Sequence, residues 1–484
     1  MERREGLQEA RVPRTSLVER AHRRPGGAGA VRRLDRPLAR LAHGVERVTA
    51  TALGPYQSAV VRIGFAATWL LFLLREFPHR HRLYGPDGPW SWRLAQELIA
   101  DNGSFTALMW SDSRGWFEIV YALAMLSSVL LLLGWRTRTM SVLFMIGVLS
   151  LQNRSVFVGD GGDNVIHLMA MYLVLTRCGQ VWSLDARRAA RAREHGAARA
   201  REHGAARARE HGVEGRPTDR VGPVLWWFCG LGLSVVTFMG VLGWGWSLIF
   251  WGFWLVHGVW WALGQYAPYG EPRALFRVVG NLIHNAALLV IMAEACLIYA
   301  TAGWYKVQGS RWQDGTAVHY PLKLDYFSPW PALGDLLVSS AVLLTLVTYG
   351  TVIVQVAFPF TLFNRRVKNV LLAFMITEHA VIAVLLGLPF FSLAMIAADA
   401  VFLPTSFLQR VGRAVVRCRA ALLSVVRSRG RRYEGARAGE AGGDEQGEQG
   451  EQEAVAADGE TSGGSGGGPD GGEAEDHARV GFTP

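Results

Sequence analysis

Several ionisable residues lie within long apolar segments of this chain, where a side chain facing lipid costs several kcal/mol unless it is paired. Glu294 and the adjacent residues Glu378 and His379 fall near the middle of such segments. Groups at that depth either pair across helices or line an internal polar cavity, and the sequence leaves both interpretations open. His257 and Asp399 lie toward segment ends and are predicted to form structural pairs.

A lysine surrounded by aromatic residues, Lys306, follows the seventh apolar segment, with Trp304, Tyr305 and Trp312 close to it in sequence. Such a lysine can extend its ammonium group to water along an apolar stem. If the aromatic side chains instead cover it, desolvation favours the neutral amine, which can act as a general base. The residue types alone favour the extended, solvated lysine.

The elements that must position these residues are predicted to be membrane helices. Half of the 484 residues are apolar and 19% are charged, which is typical of a membrane protein. We therefore predict an all-α, polytopic integral membrane helix bundle of about ten transmembrane helices, with no cleavable signal peptide. The predicted segments, each near the length that crosses a ~30 Å hydrocarbon layer, are 57–74, 117–134, 140–157, 164–182, 223–243, 246–263, 281–302, 335–358, 370–387 and 389–407.

Basic residues mark one side of this predicted bundle. With ten spans, six basic segments fall on the same side, so both termini are predicted to be cytoplasmic. The net charge of +10 therefore indicates a multi-pass protein of the plasma membrane, with the lipid bilayer as partner and no nucleic acid. The six segments are the N-terminal arm, the Arg136/Arg138 turn, residues 186–220, the Arg273/Arg277 loop, the Arg365/Arg366/Lys368 turn and the chain from Arg410.

The composition divides the chain into three parts. Residues 1–47 form a basic arm, and residues 409–484 form a tail that is first basic and then rich in Gly and Glu; both are predicted to be disordered. Residues 48–408 form the membrane domain, which carries a low-complexity cytoplasmic insert at 186–220.

No metal site is predicted. The insert repeats AREHGAAR with a period of eight, but each histidine is followed by glycine and has arginine neighbours that repel a cation. The four cysteines show neither CxxC nor Cys/His ligand spacing, so neither a zinc site nor a disulfide framework is indicated.

The run from Gly303 through Trp312 to Ala317 resembles the signature of the horizontally transferred transmembrane domain (HTTM). This is the membrane part shared by vitamin K-dependent gamma-glutamyl carboxylases and many bacterial proteins. The resemblance covers about residues 50–408. Other matching pieces follow in the same order: Arg62-Ile63-Gly64, Asn153-Arg154, Gly159-Asp160, Trp182-Ser183-Leu184-Asp185, Phe358-Pro359, Glu378-His379, Gly387-Leu388 and Phe391–Ile396.

The resemblance implies a catalytic lysine. In the carboxylases, a lysine at the position matching Lys306 is held to deprotonate vitamin K hydroquinone, assisted by a histidine for which His167 is the nearest match. A quinone or hydroquinone, or another lipid-soluble small molecule, is therefore the implied ligand, bound in an outward-facing cavity. The expected lining residues of that cavity are Glu294, Trp304, Tyr305, Trp312, Glu378 and His379.

Two departures from the carboxylases narrow the expected function. A short tail follows residue 408 in place of a large extracytoplasmic domain, and Gln355 stands where many members carry an acidic residue. Carboxylase-like or oxidoreductase-like chemistry is expected by resemblance, whereas glutamate carboxylation itself is not. The alternative is a non-enzymatic component of membrane transport, peptide export or toxin immunity.

Overall fold

The described part of the chain consists of helices joined by turns and short irregular segments. The computed structural model describes residues 28–195, 221–267 and 269–424, and these ranges contain helices and turns without a β-strand. The all-α prediction is therefore confirmed for these residues, whereas the second and third AREHGAAR repeats and the chain from 425 lie outside them. The longer helices are α1 (Ala28–Ala50), α2 (Pro55–Glu76), α3 (Arg114–Leu133), α4 (Thr137–Arg154), α5 (Gly161–Leu173), α6 (Val221–Phe238), α7 (Trp244–Tyr266), α8 (Glu271–Gln308), α9 (Ala341–Ala357), α10 (Arg365–Leu385) and α11 (Pro389–Asp399).

Seven of the described helices are long and apolar enough to cross a membrane: α2, α3 and α6 to α10. The number rises to eight if α11 and the helix after it, Thr405–Ser424, count as one broken span. These helices are compatible with a membrane helix bundle. The predicted count of ten is not reproduced.

Two predicted segments account for most of this difference. The segment at 140–157 corresponds to α4, whose 18 residues carry arginine near both ends, including Arg154, and are therefore more polar than a typical span. The segment at 164–182 corresponds to α5, which ends at Leu173 after 13 residues. There the Thr176 hydroxyl donates a hydrogen bond to the Leu173 carbonyl, and the helix is too short to cross a ~30 Å layer.

The core lies around α2, which packs against α3 and α11. Val61, Phe65, Trp69 and Leu73 recur every four residues along one side of α2 and are almost completely buried. A Cβ atom at Gly64 would lie 2.5 Å from the Cβ atom of Ala397, so the glycine allows the close approach of α2 to α11.

A buried arginine on α2 joins three parts of this core. The Arg62 guanidinium donates hydrogen bonds to the carbonyls of Leu131, Leu132, Cys178 and Trp182. These carbonyls lie at the end of α3, where the last turn leaves carbonyls open, and in the segment after α5; the Leu131 carbonyl also accepts from the Gly134 N–H at 3.0 Å. Arg62 therefore has a structural role, because the N–H donors of one guanidinium bind backbone carbonyls from several segments of the chain.

The helix α1 begins within residues 1–47, for which disorder is predicted, and residues 1–27 lie outside the described part of the chain. Two asparagines of α8 hold the end of α1, beyond residue 47: Asn281 donates to the Thr49 carbonyl, and Asn285 donates to the Val48 carbonyl. These contacts join α1 to a helix that is distant in sequence.

The chain divides into two units, residues 1–408 and 409–484. The helices α1 to α11 all belong to the first unit. Of the second unit the structure describes residues 409–424, which are helical.

Candidate functional site: a polar cluster among four helices

A chain of three polar side chains links α8, α9 and α10. Lys306 Nζ donates to Gln355 Oε1 at 2.5 Å, and Gln355 Nε2 donates to Glu378 Oε1 at 2.7 Å. Gln355 is only 4% exposed, and the Glu378 carboxylate also accepts a hydrogen bond from Thr351. A neutral amide therefore bridges a lysine and a glutamate inside an apolar bundle.

The orientation of the Gln355 amide follows from its two partners. A lysine ammonium has only donors and an ionised glutamate has only acceptors, so the amide oxygen must face Lys306 and the NH2 group must face Glu378. A carboxylate at position 355 would instead place two acceptors face to face beside Glu378. The glutamine thus allows Lys306 and Glu378 to balance each other's charge.

A second chain of buried groups links α8, α10 and α11. The Tyr299 hydroxyl lies 3.1 Å from His379 Nε2 and 3.0 Å from Asp399 Oδ2. All three side chains are at most 2% exposed. The Tyr299 hydroxyl has a single proton to donate, so one of its two partners must donate to it. One proton transferred along this chain reverses the direction of both hydrogen bonds.

The two chains meet on α10, because Glu378 and His379 are consecutive residues. On α8, Tyr299 and Lys306 are seven residues apart, which places them on the same face two turns apart. Together the six side chains form the polar cluster: Lys306, Gln355, Glu378, Tyr299, His379 and Asp399.

Three buried polar atoms near the second chain have no hydrogen-bond partner among the described residues: His379 Nδ1, Asp399 Oδ1 and Ser392 Oγ. Buried polar groups are usually satisfied, so three such atoms on neighbouring elements mark a place where water or a ligand group would be stabilised. The ring of Phe391 lies 5.6 Å from that of His379 and gives this place an aromatic wall.

The loop after α8 places an aromatic ring over Lys306. Lys306 Nζ lies 5.0 Å from the centre of the Trp312 ring, within range of a cation–π interaction. The Tyr349 hydroxyl of α9 holds the loop by donating to the Gln313 carbonyl at 2.7 Å. The loop then closes through Asp314, whose carboxylate accepts hydrogen bonds from Thr316 that lower the pKa of Asp314 from its ordinary value.

The structure brings together four of the residues proposed from sequence: Lys306, Trp312, Glu378 and His379. Trp304 and Tyr305 directly precede Lys306 in sequence, but they are 63% and 74% exposed, and no described hydrogen bond or ring contact joins them to the other residues of the cluster. The remaining two residues, His167 and Glu294, bond elsewhere.

His167 Nδ1 lies 2.9 Å from Gln152 Oε1, and the Gln152 amide donates to the Asp163 carbonyl. Glu294 accepts a hydrogen bond from the Tyr172 hydroxyl at 3.4 Å. Both residues therefore interact with α4 or α5, and no described hydrogen bond connects them to the polar cluster.

Two other ionisable residues in apolar segments have structural partners. Glu118 accepts hydrogen bonds from Arg80 at 2.8 and 3.0 Å. His284 Nδ1 accepts from the backbone N–H of Arg177 at 2.9 Å, and its Nε2 lies 2.8 Å from the Leu53 carbonyl. The second nitrogen must donate, so His284 is a neutral imidazole with both nitrogens satisfied.

Sequence reasoning missed Tyr299 and treated Gln355 only as a departure from a family pattern. One signal for Tyr299 was available, since it precedes Lys306 by two helical turns and therefore shares its face. Asp399 was assigned to structural pairing, and it does pair, but with a residue of the polar cluster.

Among the described residues, no group of three His, Cys, Asp or Glu side chains is placed to hold a metal ion. No family model, curated protein or solved structure matches the chain.

Proposed function

We propose that this chain is an HTTM-like bacterial plasma-membrane protein that binds a lipid-soluble quinone or hydroquinone beside Lys306. The observation that carries the proposal is the Lys306–Gln355–Glu378 chain beneath Trp312. It holds a half-buried amine in an apolar bundle, next to an aromatic ring. The HTTM resemblance, which rests on the residues around Lys306, supports the same assignment.

The proposed orientation has both termini in the cytoplasm and Lys306 toward the outer side. The helices α4 and α5 are consecutive, so whether this pair crosses the membrane or not, the helices that follow keep the same orientation. The basic turns at Arg273 and at Arg365 then lie on the cytoplasmic side in either case. The C-terminus lies on the cytoplasmic side only if α11 and the helix after it form an eighth span, because seven spans would place the two termini on opposite sides.

The residues of the polar cluster fit a ligand that gives up a proton. A bound hydroquinone supplies acidic hydroxyl groups and a two-electron redox couple. Lys306 accepts this proton when it is present as the free amine, and the transfer gives the ammonium form in which Gln355 links Lys306 to Glu378. Tyr299, His379 and Asp399 hold a hydrogen-bond chain that can pass a proton between α10 and α11. Trp312 excludes water from the amine. Glutamate carboxylation is not part of the proposal.

The test is to purify the full chain in a mild detergent, extract the bound lipids and measure menaquinone by mass spectrometry. Lys306→Ala is compared with Lys323→Ala, whose lysine is 49% exposed and pairs with Asp335 at 2.6 Å. Wild type and Lys323→Ala are expected to retain quinone, and Lys306→Ala to lose most of it. Helix content measured by circular dichroism confirms that each variant is folded.

Wild-type protein without quinone, or a folded Lys306→Ala protein that keeps the wild-type amount, contradicts the proposal. Either result favours the non-enzymatic alternative of transport, peptide export or toxin immunity.

A further inference from the structure

A second charged site lies around Trp260 of α7, apart from the polar cluster. The guanidinium carbon of Arg138 on α4 lies 4.1 Å from the centre of the Trp260 ring, and that of Arg273 on α8 lies 4.3 Å from it. Arg177, which follows α5, lies 6.0 Å from the same ring. Three helices and one connecting segment thus bring three arginines to one indole.

These arginines are not equally engaged with the protein. Arg177 donates to the Asn281 side chain, and Arg273 donates to the Trp260 carbonyl at 2.6 Å. Arg138 differs, because no atom of the described part of the chain accepts a hydrogen bond from its guanidinium; its contact there is the face of Trp260. Its five N–H donors are therefore available to a ligand.

The charges facing Arg138 are mainly positive. Arg177 and Arg273 both repel it. The neighbouring carboxylate is Asp185, which accepts hydrogen bonds from the backbone N–H groups of Arg136 and Thr137 at 2.9 and 2.8 Å, and so caps α4.

A half-buried cationic centre of this kind is stabilised by an anion. Guanidinium forks match the geometry of phosphate oxygens and bind them in pairs, more strongly than neutral donors do. The arginines also lie on the side of the bundle proposed to be cytoplasmic, where anionic phospholipid headgroups are concentrated. The ring of Trp260 lies beside the Arg138 guanidinium and leaves its N–H donors for an acceptor.

We propose that Arg138, Arg177 and Arg273 around Trp260 form a binding site for a phosphate-bearing anion. The ligand chemistry is that of a phosphate monoanion or diester, which an anionic phospholipid headgroup or free phosphate supplies. The site is independent of the proposed quinone site, since the two share no residue.

The test uses the full chain in a neutral detergent and native mass spectrometry with phosphatidylglycerol, phosphatidylcholine or inorganic phosphate. Arg138→Gln is compared with Arg366→Gln, which removes an exposed arginine from another basic turn on the same predicted side. Wild type and Arg366→Gln are expected to bind phosphatidylglycerol at least tenfold more tightly than phosphatidylcholine. Arg138→Gln is expected to lose that preference.

Two further measurements keep the result interpretable. Arg138→Lys keeps the charge but not the fork, so an intermediate affinity supports recognition of phosphate geometry, and wild-type affinity contradicts it. Protection against thermal unfolding by millimolar inorganic phosphate alone, without lipid preference, assigns the site to free phosphate. If Arg138→Gln and Arg366→Gln behave alike, or if wild type shows neither a preference for phosphatidylglycerol over phosphatidylcholine nor protection by inorganic phosphate, the proposal is wrong.

Discussion

Replacing Lys306 by Met, Glu378 by Gln, and both together gives a double-mutant cycle on the ends of the Lys306–Gln355–Glu378 chain. Each single variant leaves one charge without its counter-charge, whereas the double variant removes both. The free energy of coupling between the two residues therefore measures whether the Lys306 ammonium is held inside the bundle or reaches water.

The two hydrogen bonds, of 2.5 and 2.7 Å on either side of one amide, fix the separation of the charges. At roughly 7 Å and an effective dielectric constant near 20, Coulomb's law gives an attraction of about 2 kcal/mol. Loss of a charge-assisted hydrogen bond adds about 1.5–3 kcal/mol to the single variant at Lys306. We expect each single variant to be destabilised by about 2–4 kcal/mol and the double variant by about 2 kcal/mol less than their sum.

The assay is unfolding in mixed micelles by increasing dodecyl sulfate, followed by tryptophan fluorescence. The matched control is the exposed pair Lys323 and Asp335, whose N···O distance is 2.6 Å and whose side chains are 49% and 65% exposed. For that pair a coupling of at most about 0.5 kcal/mol is expected. Equal coupling in the two cycles, with Lys306→Met close to wild type, would refute the buried chain and show that Lys306 extends to water.

Three further predictions follow from described contacts. Tyr299→Phe leaves the buried His379 and Asp399 without their shared hydroxyl and should destabilise the protein by about 2–4 kcal/mol in the same unfolding assay, whereas Tyr305→Phe, with an exposed side chain, should not. Arg62→Met removes a side-chain donor from four carbonyls, of which the Leu131 carbonyl keeps the Gly134 N–H, and should cost at least about 3 kcal/mol or prevent purification, with only partial rescue by Arg62→Lys; wild-type stability would contradict its role. In intact cells, an impermeant maleimide should label Ser310→Cys but not the native, exposed Cys418, and the reverse pattern would overturn the proposed orientation.

The class of the fold was predictable from sequence because it depends on local composition. A helix needs only a run of apolar residues of sufficient length to be recognised as a membrane segment. The number of membrane spans was less predictable, because α4 and α5 carry enough apolar residues to resemble spans. However, α4 has an arginine near each end, and α5 ends at Leu173 after 13 residues. After Leu173 the chain continues in turns, in which the Thr176 N–H and hydroxyl both donate to the Leu173 carbonyl, and a hydropathy pattern does not report such local hydrogen bonds.

The candidate site was predictable only in part. Ionisable residues within apolar segments could be recognised one by one, and Lys306, Glu378 and His379 are now found together. Glu294 met the same criterion but bonds to Tyr172 instead. The criterion identifies residues that need a partner, and it does not identify the partner.

The sequence by itself determined that this protein is helical, that its apolar helices suit a membrane, and which turns carry the positive charge. Only the tertiary structure decided which polar groups meet. The partners Lys306 and Gln355 are 49 residues apart, and Tyr299 and Asp399 are 100 residues apart. Hydrogen bonds between helices at such separations depend on how the helices rotate and pack, because a polar side chain in an apolar bundle is stable only where another helix presents a matching donor or acceptor.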